Sequence, residues 1–423
     1  MNAAILTIAL LASSPQSELA AARADYATLP QSKQIYSLYF TTYDVPAEKR
    51  DSVERVLYWV CNHLSTEPNI TRPTKISDTL HRVDLTDYAW KWQARAKLTQ
   101  EDYRYGHQYN YLIVPATFFI VQSTDLNRSA LYHDFLYGER LKSLNQFQAA
   151  WPVDKKNVAK YRIQVGANIH HGDSGVTINN RVLAWSPTTI GGDYFESFDF
   201  INSKGERNVI NKLRIGEFKH DAQEIIVTLP NGLYASELTN AAGVIQTKAP
   251  TNIAKDSTAH KEPDVANPVS CLRCHGLANG YHTAKSDLPD RLSKGLSLKA
   301  YDAETKKQLE AFYLREDWRT VANGELIKQA RNRYERAVVQ CNGWTPQETA
   351  IAYGDIIREW DANLSILEAC LELGVSEQLF REKVKDTTDG ELSGLLVGGT
   401  ISRDEWAESG YEQATLLLGR ESK

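Results

Sequence analysis

Apolar and polar positions alternate in three regimes along this chain. Between Pro46 and Leu64 the residues Val53, Val56, Leu57, Val60 and Leu64 recur at the spacing of one helical face, so a helix opening after Pro46 is predicted. Residues 161–250 are β-rich instead. Glu224–Leu229 (EIIVTL) and Leu233–Leu238 (LYASEL) flank Pro230-Asn231-Gly232, and Asn-Gly between two such runs predicts a hairpin with positive φ at both central residues. Tyr36–Phe40, Val83–Tyr88 and Tyr111–Gln122 also carry strand-like content, the last interrupted by Pro115.

From about residue 296 helices with clear punctuation take over. Ile327, Ala330, Tyr334, Ala337, Val338 and Cys341 mark one face, stopped by Asn342-Gly343. Thr345–Glu348, Ser365–Glu368 and Ser402–Glu405 each have the spacing of a capping box, and Gly374 ends a helix between the last two. The expectation is an α+β protein in which 25–160 is a mixed N-terminal region. Residues 161–292 form a β-rich central region, and 293–423 form a helical C-terminal domain.

The chain has 423 residues, enough for a sizeable core and about two to three domains. A net charge of −5 argues against a nucleic-acid binder, which needs a basic face for phosphates. No apolar run reaches the length of a membrane span. Ala3–Ala12 has the length of a signal-peptide core and Ala22-Arg23-Ala24 the pattern of a cleavage site, so residues 1–24 read as an export signal. A short buried helix is the bland reading of the same stretch.

The chemistry concentrates in Cys271-Leu272-Arg273-Cys274-His275-Gly276, the one place where two of the five cysteines lie close together. Cys-x-x-Cys-His is the spacing at which two thiols bond to one haem while the next imidazole ligates its iron. A zinc half-site lacks its second close pair of ligands here. A thioredoxin-like pair should follow a strand and open a helix, whereas Pro263, Pro268, Gly276 and Gly280 describe a loop. One covalent haem c is therefore expected, and with it export to the periplasm or another extracytoplasmic space. Cys61, Cys341 and Cys370 fall in helical, apolar patterns and read as buried thiols, one disulfide among them being the alternative.

Met1 is the chain's one methionine, and signal cleavage removes it. A Met/His haem is then excluded within the chain, which places the expected potential lower than that of Met-ligated cytochromes. For the distal side His220, flanked by Asp221 and Glu224, is the first candidate and His133 the second; His282 and His260 are less specific. Arg181 and Arg162 are candidate propionate partners, with a surface ion pair as the bland alternative. His63 reads as a helix-end histidine. The aromatic stretch Trp90, Trp92, Tyr103, Tyr105 and Tyr109 reads as packing. Gly172-Asp173-Ser174-Gly175 resembles a serine-protease nucleophile segment without the glycine and proline that should follow. Leu371–Phe380 resembles a helix-turn-helix corner that an αα-hairpin explains better in an acidic chain.

Five stretches together, LYHDFLYG (131–138), SGVTINNR (174–181), ESFDF (196–200), FKHDAQEIIVTLPNGLYASEL (218–238) and NPVSCLRCHG (267–276), resemble a large and mostly uncharacterised family of bacterial proteins with a c-type cytochrome domain. They cover about the central third of the chain. The resemblance implies haem attachment at Cys271 and Cys274 with His275 as proximal ligand. It also marks His133, Asn180, Arg181, His220, Asp221 and Glu224 as positions of the family's pattern, and supplies no established reaction. Ala222 departs from it where glycine is expected after the His-Asp pair. The leading expectation is one-electron transfer to a partner redox protein. The rivals are a peroxidase-like haem oxidoreductase, in which His220 and Asp221 act as acid and base, and a haem-based sensor or interaction protein. Most of the chain lies outside any minimal haem-wrapping segment, which motivates the rivals.

Overall fold

The computed structural model describes residues 15–100, 111–154, 160–164, 181–202, 204–207, 219–256, 264–278, 302–307, 325–385 and 390–419, with single positions 176, 177, 179, 280 and 387. Helices and sheets both contribute, as an α+β chain requires. Helix α1 (Pro15–Thr28) lies on strand β1 (Ser37–Thr41) and buries Ala22 and Glu18. The Glu18 carboxylate accepts from the hydroxyls of Thr41 at 2.8 Å and Thr79 at 2.7 Å, so its burial is compensated. The expected cleavage motif at Ala22–Ala24 lies inside this helix, and cleavage there would take Glu18 and Ala22 out of the core.

Helix α2 (Arg50–His63) follows a short 3₁₀ turn after Pro46 and buries the five residues of the predicted stripe. Strands β2 (Thr74–Lys75), β3 (Leu80–Asp84) and β4 (Ile113–Pro115) complete a first sheet in the order β2-β3-β1-β4; β1 runs antiparallel to β3 and parallel to β4. The strand expected over Tyr111–Gln122 stops at Pro115, and helix α3 (Ala116–Gln122) takes over. Proline suits the start of a helix, and α3 is mostly apolar because it is largely buried, only Thr117 and Gln122 being partly exposed, which hides its helical period. Helix α4 (Leu131–Tyr137) ends at Gly138, whose φ of 79° supplies the left-handed stop.

The second sheet is an antiparallel meander of β5 (Lys160–Gln164), β6 (Arg181–Pro187), β7 (Asp193–Phe198), β8 (Ala222–Thr228) and β9 (Tyr234–Asn240) in chain order. The β8–β9 hairpin forms where Asn-Gly predicts it, but only Gly232 has positive φ (90°). Asn231 acts through its side chain: Oδ1 accepts from Leu233 N at 3.0 Å, and Nδ2 donates to the Asn62 carbonyl at 2.8 Å, which pins the turn to the end of α2. Ala222 opens β8 in ordinary strand pairing and needs no left-handed backbone.

Helix α5 (Val269–Leu277) carries the cysteine motif. Helices α6 (Glu325–Asn342) and α7 (Pro346–Asp361) follow, with the Gly343 stop (φ 81°) and the Thr345–Glu348 capping box where they were expected. Both pack into the same core as α2 and the hairpin, through Ala337, Cys341, Tyr353 and Trp360. The helical tail therefore divides physically near residue 362. The stretch from Leu364 to Ala414, including α8 (Ile366–Leu373) and α9 (Glu377–Val384), builds its own core around Phe380 and Trp406. The Arg403 guanidinium, 4.2 Å from the Trp360 ring centroid, ties the two cores together. No helix among the described residues is long and apolar enough to cross a membrane.

Candidate functional site

The loop expected around Cys271 is a helix. Pro268 occupies the N-cap, where a missing N–H costs nothing, and its carbonyl accepts from Leu272 N at 2.8 Å. Gly276 continues the helix because α7 crosses there: a Cβ at Gly276 would come within 2.7 Å of Ala350 Cβ. Gly280, at φ 87°, turns the chain beyond the helix against the Tyr334 ring. Glycine serves close approach here and not flexibility, and this is the reason the loop reading fails. On its other side α5 is held by Tyr234 of β9, whose hydroxyl donates to the carbonyls of Cys271 and Leu272. Arg273 pairs with the buried carboxylate of Asp256.

Cys271 and Cys274 are free thiols one helical turn apart, the first fully buried and the second partly so. Burial pushes both thiols up, Cys274 to about 11 with the Asp256 carboxylate adding to the effect. Neither is thus a poised thiolate of the kind that thiol-disulfide exchange uses. Cys271 belongs to a small apolar cluster with Ala222, Leu238, Ala249, Ile253, Ala254 and Val265. That cluster borders a cavity of about 50 Å³ that Arg181, Asp199 and Glu224 also line.

His275 projects toward the sheet. Its Nδ1 lies 3.1 Å from the Gly280 carbonyl, which can only accept, so Nδ1 carries the proton in the neutral ring. Nε2 is 3.4 Å from Glu224 Oε1, and the ring packs edge-on to Tyr234 at 5.9 Å. Behind Glu224, Arg181 reaches Glu224 at 3.1 Å and Asp199 at 2.8 Å, and also donates to Ser197. Burial alone would raise the Glu224 carboxyl. The hydrogen bond and charge that a doubly protonated His275 supplies through Nε2, with the Arg181 guanidinium, outweigh it and hold the group below the usual carboxylate range. Burial instead raises Asp199, against the opposing pull of Arg181.

The meander separates the predicted site residues. Ser197, Asp199, Glu224 and Arg181 share one face with α5, as their mutual contacts show. Gln223, Glu196, Phe198 and Glu237 alternate onto the other. His220 belongs there: its ring meets Phe198 edge-on at 5.1 Å, and burial lowers its pKa. His133 of α4 is also on that side, fully buried, with Nε2 2.5 Å from Glu237 Oε1 and Nδ1 accepting from Leu141 N at 3.2 Å. Both of its ring nitrogens are engaged by protein groups. The structure therefore brings Arg181, Glu224 and His275 together and places His220 and His133 across the sheet from them. Arg181 has its guanidinium already shared between Asp199 and Glu224. His260, His282 and the Arg162 side chain lie outside the described residues.

Sequence reasoning did not find Asp199, Ser197, Tyr234, Glu237 or Asn267. All five lie within the short stretches that carry the resemblance, but nothing local marks them as partners of Arg181, of His275 or of the His133–Glu237 pair.

The donor set of α5 fits covalent haem: two free thiols one turn apart, then an imidazole whose Nδ1 is fixed by a carbonyl. The adjoining cavity, at about 50 Å³, is small beside cofactor pockets, which take roughly 300–1,000 Å³. Among the described residues no group of three or more His, Cys, Asp or Glu side chains is arranged to hold a bare metal ion. Compared with family models, curated proteins and solved structures, the chain matches none.

Proposed function

We propose that this chain is an exported c-type haem protein that passes single electrons to a partner redox protein. The observation that carries the reading is the Cys271–His275 turn of α5, with both thiols free and His275 Nδ1 held by the Gly280 carbonyl. In this reading Cys271 and Cys274 are the attachment points and His275 Nε2 is the iron ligand. Bound there, the haem supplies a one-electron iron couple. Tyr234 fixes the helix through two backbone carbonyls, and Gly276 sets its distance from α7. Arg181 holds Glu224 beside the imidazole, a role its two carboxylate contacts support better than binding a propionate. His133 and His220, across the sheet, are left out of the ligand set. With no methionine beyond Met1, the couple lies below the range of Met/His cytochromes. Export fits best with processing upstream of α1, which keeps Glu18 and its two threonine partners in the protein.

The test is the absorption spectrum of the chain exported from a host with c-type maturation, taken oxidised, dithionite-reduced and reduced under CO, with haem staining after denaturing electrophoresis. Covalent low-spin haem indifferent to CO is the expected result, and with His133 and His220 left out it requires another histidine, such as His260 or His282, as the sixth ligand. Covalent high-spin haem that binds CO and reacts with peroxide moves the function to a haem oxidoreductase, or to a sensor if there is no turnover. A chain without covalent haem contradicts the proposal.

A further inference from the structure

A chain of buried hydrogen bonds links His133 to the residue that precedes the cysteine helix. The Leu141 N–H donates to Nδ1 at 3.2 Å, so in the neutral ring the proton is on Nε2 and is donated to Glu237 Oε1 at 2.5 Å. The other Glu237 oxygen accepts from Asn267 Nδ2 at 3.1 Å. All three side chains are fully buried. Asn267 is fixed further by its backbone: its N–H donates to Thr247 O and its carbonyl accepts from Leu126 N, both at 2.8 Å. It immediately precedes Pro268, the N-cap of α5, and Cys271 follows one turn later. Buried polar groups strung in this way hold one geometry, because each has no water to turn to.

We propose that His133, Glu237 and Asn267 are positioning residues that set where α5, and with it Cys271, enters the face of the sheet. Their importance for haem attachment rests on the function proposed above; their hold on α5 does not. Hydrogen exchange on the full chain tests that hold, comparing amides of Val269–Leu277 with those of α2. Asn267→Ala cuts the last link and leaves the His133–Glu237 pair intact. It is expected to raise exchange in α5 by about tenfold or more, through loss of the Nδ2 hydrogen bonds to the Glu237 carboxylate and to the Gln246 carbonyl, with α2 unchanged. Glu237→Gln, whose amide must present N–H to one of its two donors, is expected to do the same. His133→Gln keeps a donor toward Glu237 and an acceptor for Leu141, and is expected to stay near wild type in exchange and in covalent haem yield, while Asn267→Ala loses yield. Unchanged exchange in α5 for Asn267→Ala, or a rise shared equally by α2, overturns the proposal. Should Glu237→Gln fail to fold, Asn267→Ala decides alone. A wild-type chain without covalent haem would remove the functional reading and leave the exchange result standing.

Discussion

Two histidine–glutamate pairs lie on opposite faces of one meander, His275–Glu224 on the cysteine side and His133–Glu237 on the other. The second pair is sealed: both side chains are fully buried and each imidazole nitrogen has one protein partner. The first is partly open, its His275 contact is longer at 3.4 Å, and it borders a cavity, two thiols and a guanidinium. A sealed pair in which each imidazole nitrogen and each carboxylate oxygen has a protein partner is suited to holding backbone in place. An open pair whose carboxylate has a second cation to fall back on can release its imidazole at small cost. The difference assigns chemistry to one face and positioning to the other.

The largest effect expected is on attachment. Cys271→Ser with Cys274→Ser should abolish the haem-stained band while His133→Gln retains it; equal staining in the two would erase the distinction between the faces. Next comes Arg181, the one described guanidinium that touches both Asp199 and Glu224. Arg181→Met strands buried carboxylates and should cost about 3–5 kcal/mol of stability by denaturant unfolding. A loss under about 1 kcal/mol, the range of exposed pairs, would mean that water reaches this network.

His63 is a buried imidazole without a carboxylate. Burial lowers its pKa from 6.5 to about 3, against the opposing pull of the Tyr234 carbonyl. As pH falls from 6.5 toward 3 the unfolded chain takes up this proton and the folded one does not, so stability is lost across that window. The decline should be shallower in His63→Gln, and an unchanged slope would show that other groups carry it. The smallest effect belongs to His220→Ala. Across the sheet from His275, it should leave the haem spectrum as in wild type; a new high-spin band would place His220 on the iron.

Local features were legible in the sequence. The α2 stripe, the capping boxes at Thr345, Ser365 and Ser402 and the Gly343 and Gly374 stops depend on residues a few positions apart, and each forms as read. What depended on register was not. Parity counted back from Glu224 puts His220 on the cysteine face. The turn at Asp221, whose carboxylate accepts from Ile201 N and Arg207, breaks that parity. The partnership of His133 with Glu237 spans 104 positions and has no local signature. The glycines of the motif misled for another reason: whether glycine loosens a chain or admits a neighbour depends on what packs against it, here Ala350 and Tyr334.

The most direct measurement is peptide mapping by mass spectrometry of the exported chain, centred on the fragment containing Cys271–His275. This fragment is expected to carry one haem bonded to both thiols, with Cys61, Cys341 and Cys370 unmodified. Recovery of the fragment with free thiols, or with a Cys271–Cys274 disulfide, would contradict it.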